Sequence, residues 1–181
     1  RCWQLRLGRR GTRLRPVGAG QPVWRPLEAA RATCARRSFH RAPSPDCTCG
    51  LHGAKDLATL RATRSPSVLG TVALWGRVIE HRLGYRGRLG YPQRCRLICP
   101  ECFWREAAVA ARPAFVAVQR DGHAIALCAE HLDVARDCGI SLDELKPAAE
   151  VERSILATYA VDLLPHSAGA GLIAQALPAA G

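Results

Sequence analysis

Four side chains, set two by two, have the chemistry to hold a divalent metal ion. Cys99 and Cys102 flank Pro100-Glu101 in a Cys-x2-Cys turn, and Cys128 and His131 repeat that spacing with an imidazole in the last place. Zinc takes four thiolate or imidazole ligands at tetrahedral corners, and an x2 spacing lets one tight loop supply two of them. Three Cys and one His close the coordination sphere, as structural sites do. A catalytic zinc keeps one position open for water, and thiolate-rich ligation lowers its power as a Lewis acid.

A second set lies upstream. Cys34, His40, Cys47 and Cys49 fall in a Pro- and Gly-punctuated stretch, with His52 as a spare. The segment 34–52 holds little that could form a core, and a second zinc would explain its density of ligand types. The other reading is free thiols in a basic loop, open to oxidation. The cysteines number nine, an odd count that argues against a disulfide framework. Such a framework also needs an oxidising compartment, and nothing in the sequence signals export. Cys2, Cys95 and Cys138 read as small buried hydrophobes.

Other catalytic readings fare worse. Glu130 sits between Cys128 and His131 but reads as a solvated residue of a first helical turn. Deaminases place Pro before their Cys-x2-Cys and a His-x-Glu upstream, and this chain has neither arrangement. His123 follows an Asp-Gly turn and is expected to be exposed. Glu80 and His81 are strand neighbours, which point to opposite faces. Phosphate loops, dinucleotide fingerprints and nucleophile elbows are missing from the sequence. The expected sites are therefore binding sites, with no catalytic residue assigned.

Several elements must position these ligands. Residues 2–7 and 12–17 predict a hairpin across the Gly8–Gly11 turn, and 27–37 a short helix. A further helix is expected over 54–63, ended by Pro66. The β-branched run 68–81 predicts a strand with a bulge at Gly76, paired with 84–98, where Pro92 argues against a central strand. A helix-compatible stretch follows Cys102. Residues 114–127 form the clearest hairpin, turning at Asp121-Gly122. Residues 128–139 predict a helix, Ser141 and Glu144 a capping box opening another, and 149–164 an amphipathic helix. The tail 165–181 is expected to be loosely ordered.

Knuckle, hairpin and ligand-bearing helix, in that order over about 99–137, resemble a treble-clef zinc finger. The run VALWGRVIEH, then GYRG and YP, with an upstream H-x-A-P-x3-C-x-C-G, resembles a Cys/His-rich pattern of uncharacterised actinobacterial proteins with no assigned activity. That resemblance implies that both clusters and the Trp75–Tyr91 region form one unit.

Charge suggests a ligand. The net charge is +11, and residues 1–112 hold 22 Lys+Arg against 6 Asp+Glu, while 113–181 hold 4 against 9. The first part could attract a polyanion and the second could not. Within 81–96, Arg82, Arg86, Arg88, Arg94 and Arg96 interleave with Tyr85 and Tyr91 and no acid. Arg can grip phosphates and Tyr can stack on an unpaired base, so this stretch is the expected nucleic-acid surface.

The expected fold class is α+β. A basic β-rich part (1–98) carries the second zinc loop (34–52). A treble-clef-like finger (99–140) and a helical C-terminal region (141–181) follow. The expected function is a zinc-stabilised module that binds nucleic acid. The alternatives are a protein–protein adaptor, using Ile155, Leu156, Tyr159, Leu163 and Leu164 of the last helix, and a metal-dependent hydrolase or nuclease. No apolar run reaches the roughly 20 residues a spanning helix needs, and the expected location is the cytoplasm.

Overall fold

The computed structural model describes residues 1–8, 11–17, 23–36, 39–61, 63, 65–105 and 112–165. Cys2–Gly8 (β1) and Gly11–Pro16 (β2) pair antiparallel as the expected hairpin. Strand alternation turns Trp3, Leu5 and Leu14 fully inward. The helix expected over 27–37 does not form in the described part of that stretch. Pro26 and the positive φ of Leu27 (59°) spoil a helical start, and Ala30–Arg31 (β3) instead pairs with a later strand.

Leu51–Ala54 (β4) precedes the one-turn helix Leu57–Leu60 (α1), whose Thr59 N–H donates to the Asp56 carboxylate at 2.8 Å. Val68–His81 (β5) and Gly84–Leu97 (β6) then form a long antiparallel pair. Its register slips between Trp75 and Val78, where Gly76 has φ +72°, so the expected bulge is present. Pro92 nonetheless lies in an interior strand. On the edge of β6 away from β5, β4 pairs with residues 84–87, β3 with 89–90 and a C-terminal strand with 94–95. Pro92 falls between the last two partners and beside a second register slip, where its missing N–H costs no ladder bond.

Pro100–Trp104 (α2) follows; the rest of the helix-compatible stretch lies partly outside the described residues. Phe115–Val118 (β7) and His123–Leu127 (β8) form the hairpin at Gly122, whose φ is +81°. A 3-10 turn, Ala129–His131, leads into Leu132–Asp137 (α3). The capping box expected at Ser141 does not form, and neither does the helix it was to open. The Ser141 hydroxyl bonds the Asp143 carboxylate and backbone N–H, and Leu145–Pro147 (β9) runs as a strand on β7. The amphipathic helix expected over 149–164 is shorter: Ala148–Tyr159 (α4) opens after Pro147 and ends at left-handed Ala160. Residues 162–163, expected to be helical, form a short strand, Asp162–Leu163 (β10), parallel to β6. The tail expected to be loose lies outside the described residues from 166 onward.

The result is a mixed, strand-rich fold with an open sheet and a few short helices. The sheet runs β10-β6-β5-β1-β8-β7-β9, with β2 beside β1 and β3 and β4 beside β6. It passes continuously through residues 98 and 140, because β8 joins β1, β9 joins β7 and β10 joins β6. Helix α4 closes the main core. Its Tyr159 hydroxyl, wholly buried, donates to the Trp24 carbonyl at 2.7 Å and accepts from the Leu14 N–H at 2.8 Å. No helix among the described residues is long and apolar enough to cross a membrane.

Candidate metal centres

Two strand ends deliver the first cluster. β6 runs out at Leu97, where the Ile98 N–H donates to the Ser67 carbonyl at 3.0 Å and aims Cys99 inward. Cys99 caps α2, and Pro100, whose fixed φ suits a first helical position, turns the chain so that Cys102 comes back beside it. β8 ends at Leu127 and hands over Cys128, which caps the 3-10 turn that returns His131. The four ligand atoms lie within 4.8 Å of one another. Zn–S bonds of about 2.3 Å and Zn–N bonds of about 2.0–2.1 Å at tetrahedral angles give edges of about 3.8 Å between sulfurs and about 3.6 Å from sulfur to nitrogen. The Cys102 and Cys128 sulfurs are 3.6 Å apart, and His131 Nδ1 stands 3.6, 3.3 and 3.0 Å from the sulfurs of Cys99, Cys102 and Cys128. A disulfide would need about 2.05 Å, and all these thiols are free. The donor set and its spacing fit a divalent ion.

This cluster sits in its own small core with Ala117, Ile125, Leu127 and Ala135. Burial, and then the neighbouring Cys128 and Cys99, push the Cys102 thiol up to about 12. Cys128 is raised as well, again chiefly by burial. The buried Cys102 and Cys128 thiols hold their protons until a cation favours the thiolates.

The second cluster is built by a loop whose two ends land on one strand. β3 and β4 both pair with the same edge of β6, and the Ala32 N–H donates to the Arg88 carbonyl at 2.8 Å, so the described residues of 32–50 arch over that edge. Within the arch, the ligand atoms of Cys34, His40, Cys47 and Cys49 again lie within 4.8 Å of one another. The Cys34 and Cys47 sulfurs are 3.7 Å apart, and His40 Nε2 is 3.2 Å from the Cys49 sulfur. All four are half-buried, unlike the three buried thiols of the first cluster. Burial raises the Cys49 thiol. His52 is no ligand here: its Nε2 bonds the Thr48 carbonyl at 3.0 Å and its ring packs edge-on to His81.

The Arg/Tyr stretch divides instead of forming one face. Arg82 and Arg94 are exposed, and Tyr85 and Arg88 half-exposed. Arg86 and Arg96, expected on the surface, are only 9% and 6% exposed. Arg96 donates to the Pro165 carbonyl at 3.0 Å, and Arg86 donates into the arch through the Ser44, Cys47 and Cys49 carbonyls. Tyr91 is tied by its hydroxyl to the Tyr159 carbonyl and the Leu27 N–H, both at 2.8 Å. Trp75, at 39%, and Arg77 are both exposed, and neither was among the residues expected to meet nucleic acid. The signal was available: the bulge at Gly76 breaks the inward–outward alternation there.

Of the remaining cysteines, Cys2 and Cys95 are buried as expected, while Cys138 is exposed just before Gly139, where α3 has already ended. His123 is half-buried rather than exposed, and its pKa is lowered mainly by burial. Glu80 pairs with Lys55 at 2.5 Å. The last helix turns Ile155 and Tyr159 into the main core, and Leu164 is equally buried; of the expected adaptor face only Leu163 is largely open, at 43%. No family model, curated protein or solved structure matches the chain.

Proposed function

We propose that this chain is a zinc-stabilised binding module with two structural Cys3His sites, whose exposed basic hairpin takes single-stranded nucleic acid. The observation that carries the reading is the convergence, twice over, of four soft ligands, in the first cluster from two segments distant in sequence and in the second within one loop. Zinc suits the donor set, and four protein ligands leave no position for a reacting water. The order of knuckle, β7–β8 hairpin and ligand-bearing 3-10 turn supports a treble-clef-like description of 99–140. Thiol ligands of this kind stay reduced in the cytoplasm, which is where we place the protein.

The nucleic-acid part rests on charge and exposure. Arg77, Arg82, Arg88 and Arg94 stand along the β5–β6 pair with Trp75 as a stacking surface, while the half-exposed Tyr85 ring carries Lys55 Nζ 5.3 Å from its centroid. Guanidinium groups grip phosphates, and exposed aromatic faces stack on bases whatever their sequence. The burial of Ile155 and Tyr159 leaves the adaptor reading little surface on α4.

Elemental analysis of the purified chain should give two zinc ions. Fluorescence anisotropy with a labelled single-stranded oligonucleotide should show binding that weakens with salt. Four phosphate contacts give a log–log slope of about −3. Arg82→Ala with Arg88→Ala should reduce that slope by about 1.4 while the zinc count stays at two. A salt-independent signal, or an unchanged slope in the double variant, would dismiss the surface.

A further inference from the structure

Arg86 combines features that a merely buried surface residue would not. It sits on β6 at the point where β4 pairs, opposite His52, under the arch that carries the second cluster. One terminal nitrogen, Nη1, reaches the carbonyls of Ser44 at 3.2 Å, Cys49 at 3.3 Å and Cys47. Two of those carbonyls belong to ligand residues. Among the described residues no carboxylate lies within ion-pair distance of it. A buried cation without a counter-charge is costly.

The backbone above is shaped to this guanidinium. Gly50, next to Cys49, has φ +132°, and a Cβ there would stand 3.0 Å from Arg86 Cβ and 3.2 Å from Pro43 Cβ. The ligand loop is therefore pressed directly onto the Arg86 stem. The charge balance points the same way: a divalent ion with three thiolates and a neutral imidazole carries a net −1. A single arginine is the matching partner.

We infer that Arg86 is the positioning residue of the second cluster: it fastens the Ser44–Cys49 carbonyls to β6 and balances the negative charge of the loaded Cys34/His40/Cys47/Cys49 site. This rests on the reading that the second cluster holds zinc. It assigns Arg86 to the metal loop and removes it from the nucleic-acid surface. A residue touching ligand backbones acts on metal affinity through the ligands' positions, an effect of typically 10–100-fold.

The test uses the full chain loaded with zinc. Wild type, Arg86→Gln and Arg86→Lys are challenged with a chromogenic chelator, and zinc release is followed in time. Wild type should release two ions per chain. In Arg86→Gln the ion of the second cluster should bind 10–100-fold more weakly, while the first cluster is unchanged. Arg86→Lys keeps the charge but not the fork, and should fall between them. Cys47→Ser identifies the phase of the second cluster. If wild type holds one ion and Cys47→Ser leaves that count unchanged, the zinc reading of the second cluster fails. If wild type holds two ions and Arg86→Gln releases both as wild type does, the role of Arg86 fails and the zinc reading stands. Should Arg86→Gln not fold, Arg86→Lys carries the test: release from the second cluster as slow as wild type overturns the inference.

Discussion

Removing one ligand of the first cluster should open a defined part of the molecule and leave the rest folded. Consider Cys102→Ala. Structural zinc contributes about 10–16 kcal/mol in small finger peptides, so one ligand of four is worth roughly 3 kcal/mol, or about two orders of magnitude in affinity. The elements that depend on it are short: beyond the cluster, Phe103 of α2 packs with Cys2, Leu69, Ile98 and Leu164, and Leu132 of α3 packs on the cluster's own core. α2 has five residues and α3 six, and isolated helices shorter than ~12–15 residues are marginal in water. The core around the cluster is small, and its two largest buried side chains, Ile125 and Leu127, stand on β8. That strand is held independently by β1 and β7. The variant, stripped of metal, should therefore lose hydrogen-exchange protection at the Phe103, Arg105 and Cys138 amides, which bond within α2 and α3. The amides of β7 and β8 should stay protected. If Phe103 and Cys138 exchange as slowly in metal-free Cys102→Ala as in the zinc-loaded wild type, the cluster does not hold these helices and the reasoning fails.

Two further outcomes test the core. Burial pushes the Cys95 thiol up to about 12 from an ordinary 9.0, so above pH 9 the unfolded chain loses this proton before the folded one does. Stability is intact below pH 9 and falls as pH rises, by about 1.4 kcal/mol per unit for this group; at pH 10, Cys95→Ala should show that much less alkaline loss relative to pH 8 in denaturant titrations. Tyr159→Phe leaves the buried Leu14 N–H and Trp24 carbonyl without their shared partner and should cost about 2 kcal/mol in the same titration.

What could be read from the sequence was what local spacing dictates. Cys99-x2-Cys102 and Cys128-x2-His131 come together because each pair is a single turn, and the Asp121-Gly122 hairpin forms because only such a turn suits its flanking strands. The second cluster was legible from composition alone, since its loop has no spacing rule; what shapes it is the shared edge of β6, a tertiary fact. The same edge explains the failures. Ala30–Arg31 became strand because β6 offered unpaired backbone, and Pro92 was tolerated because two neighbours leave a gap there. Arg86 looked like its neighbours Arg82 and Arg88 in sequence, and only the arch above it distinguishes a buried cation from exposed ones.

The arch over β6 also sets an order of events during synthesis. Cys49 completes the ligands of the N-terminal cluster, yet Arg86 is added 37 residues later, about 2–7 s at ribosomal speeds of roughly 5–20 residues per second. Closing a loop of ten residues takes about 10–100 ns. All four N-terminal ligands are thus able to meet an ion outside the ribosome while the strand that will brace them is still inside it, whereas Cys99 must wait a further 32 residues for His131. Ribosome-bound chains halted so that first Cys49 and then Leu97 has just left the exit tunnel would separate capture of the ion from the later tightening of its cage.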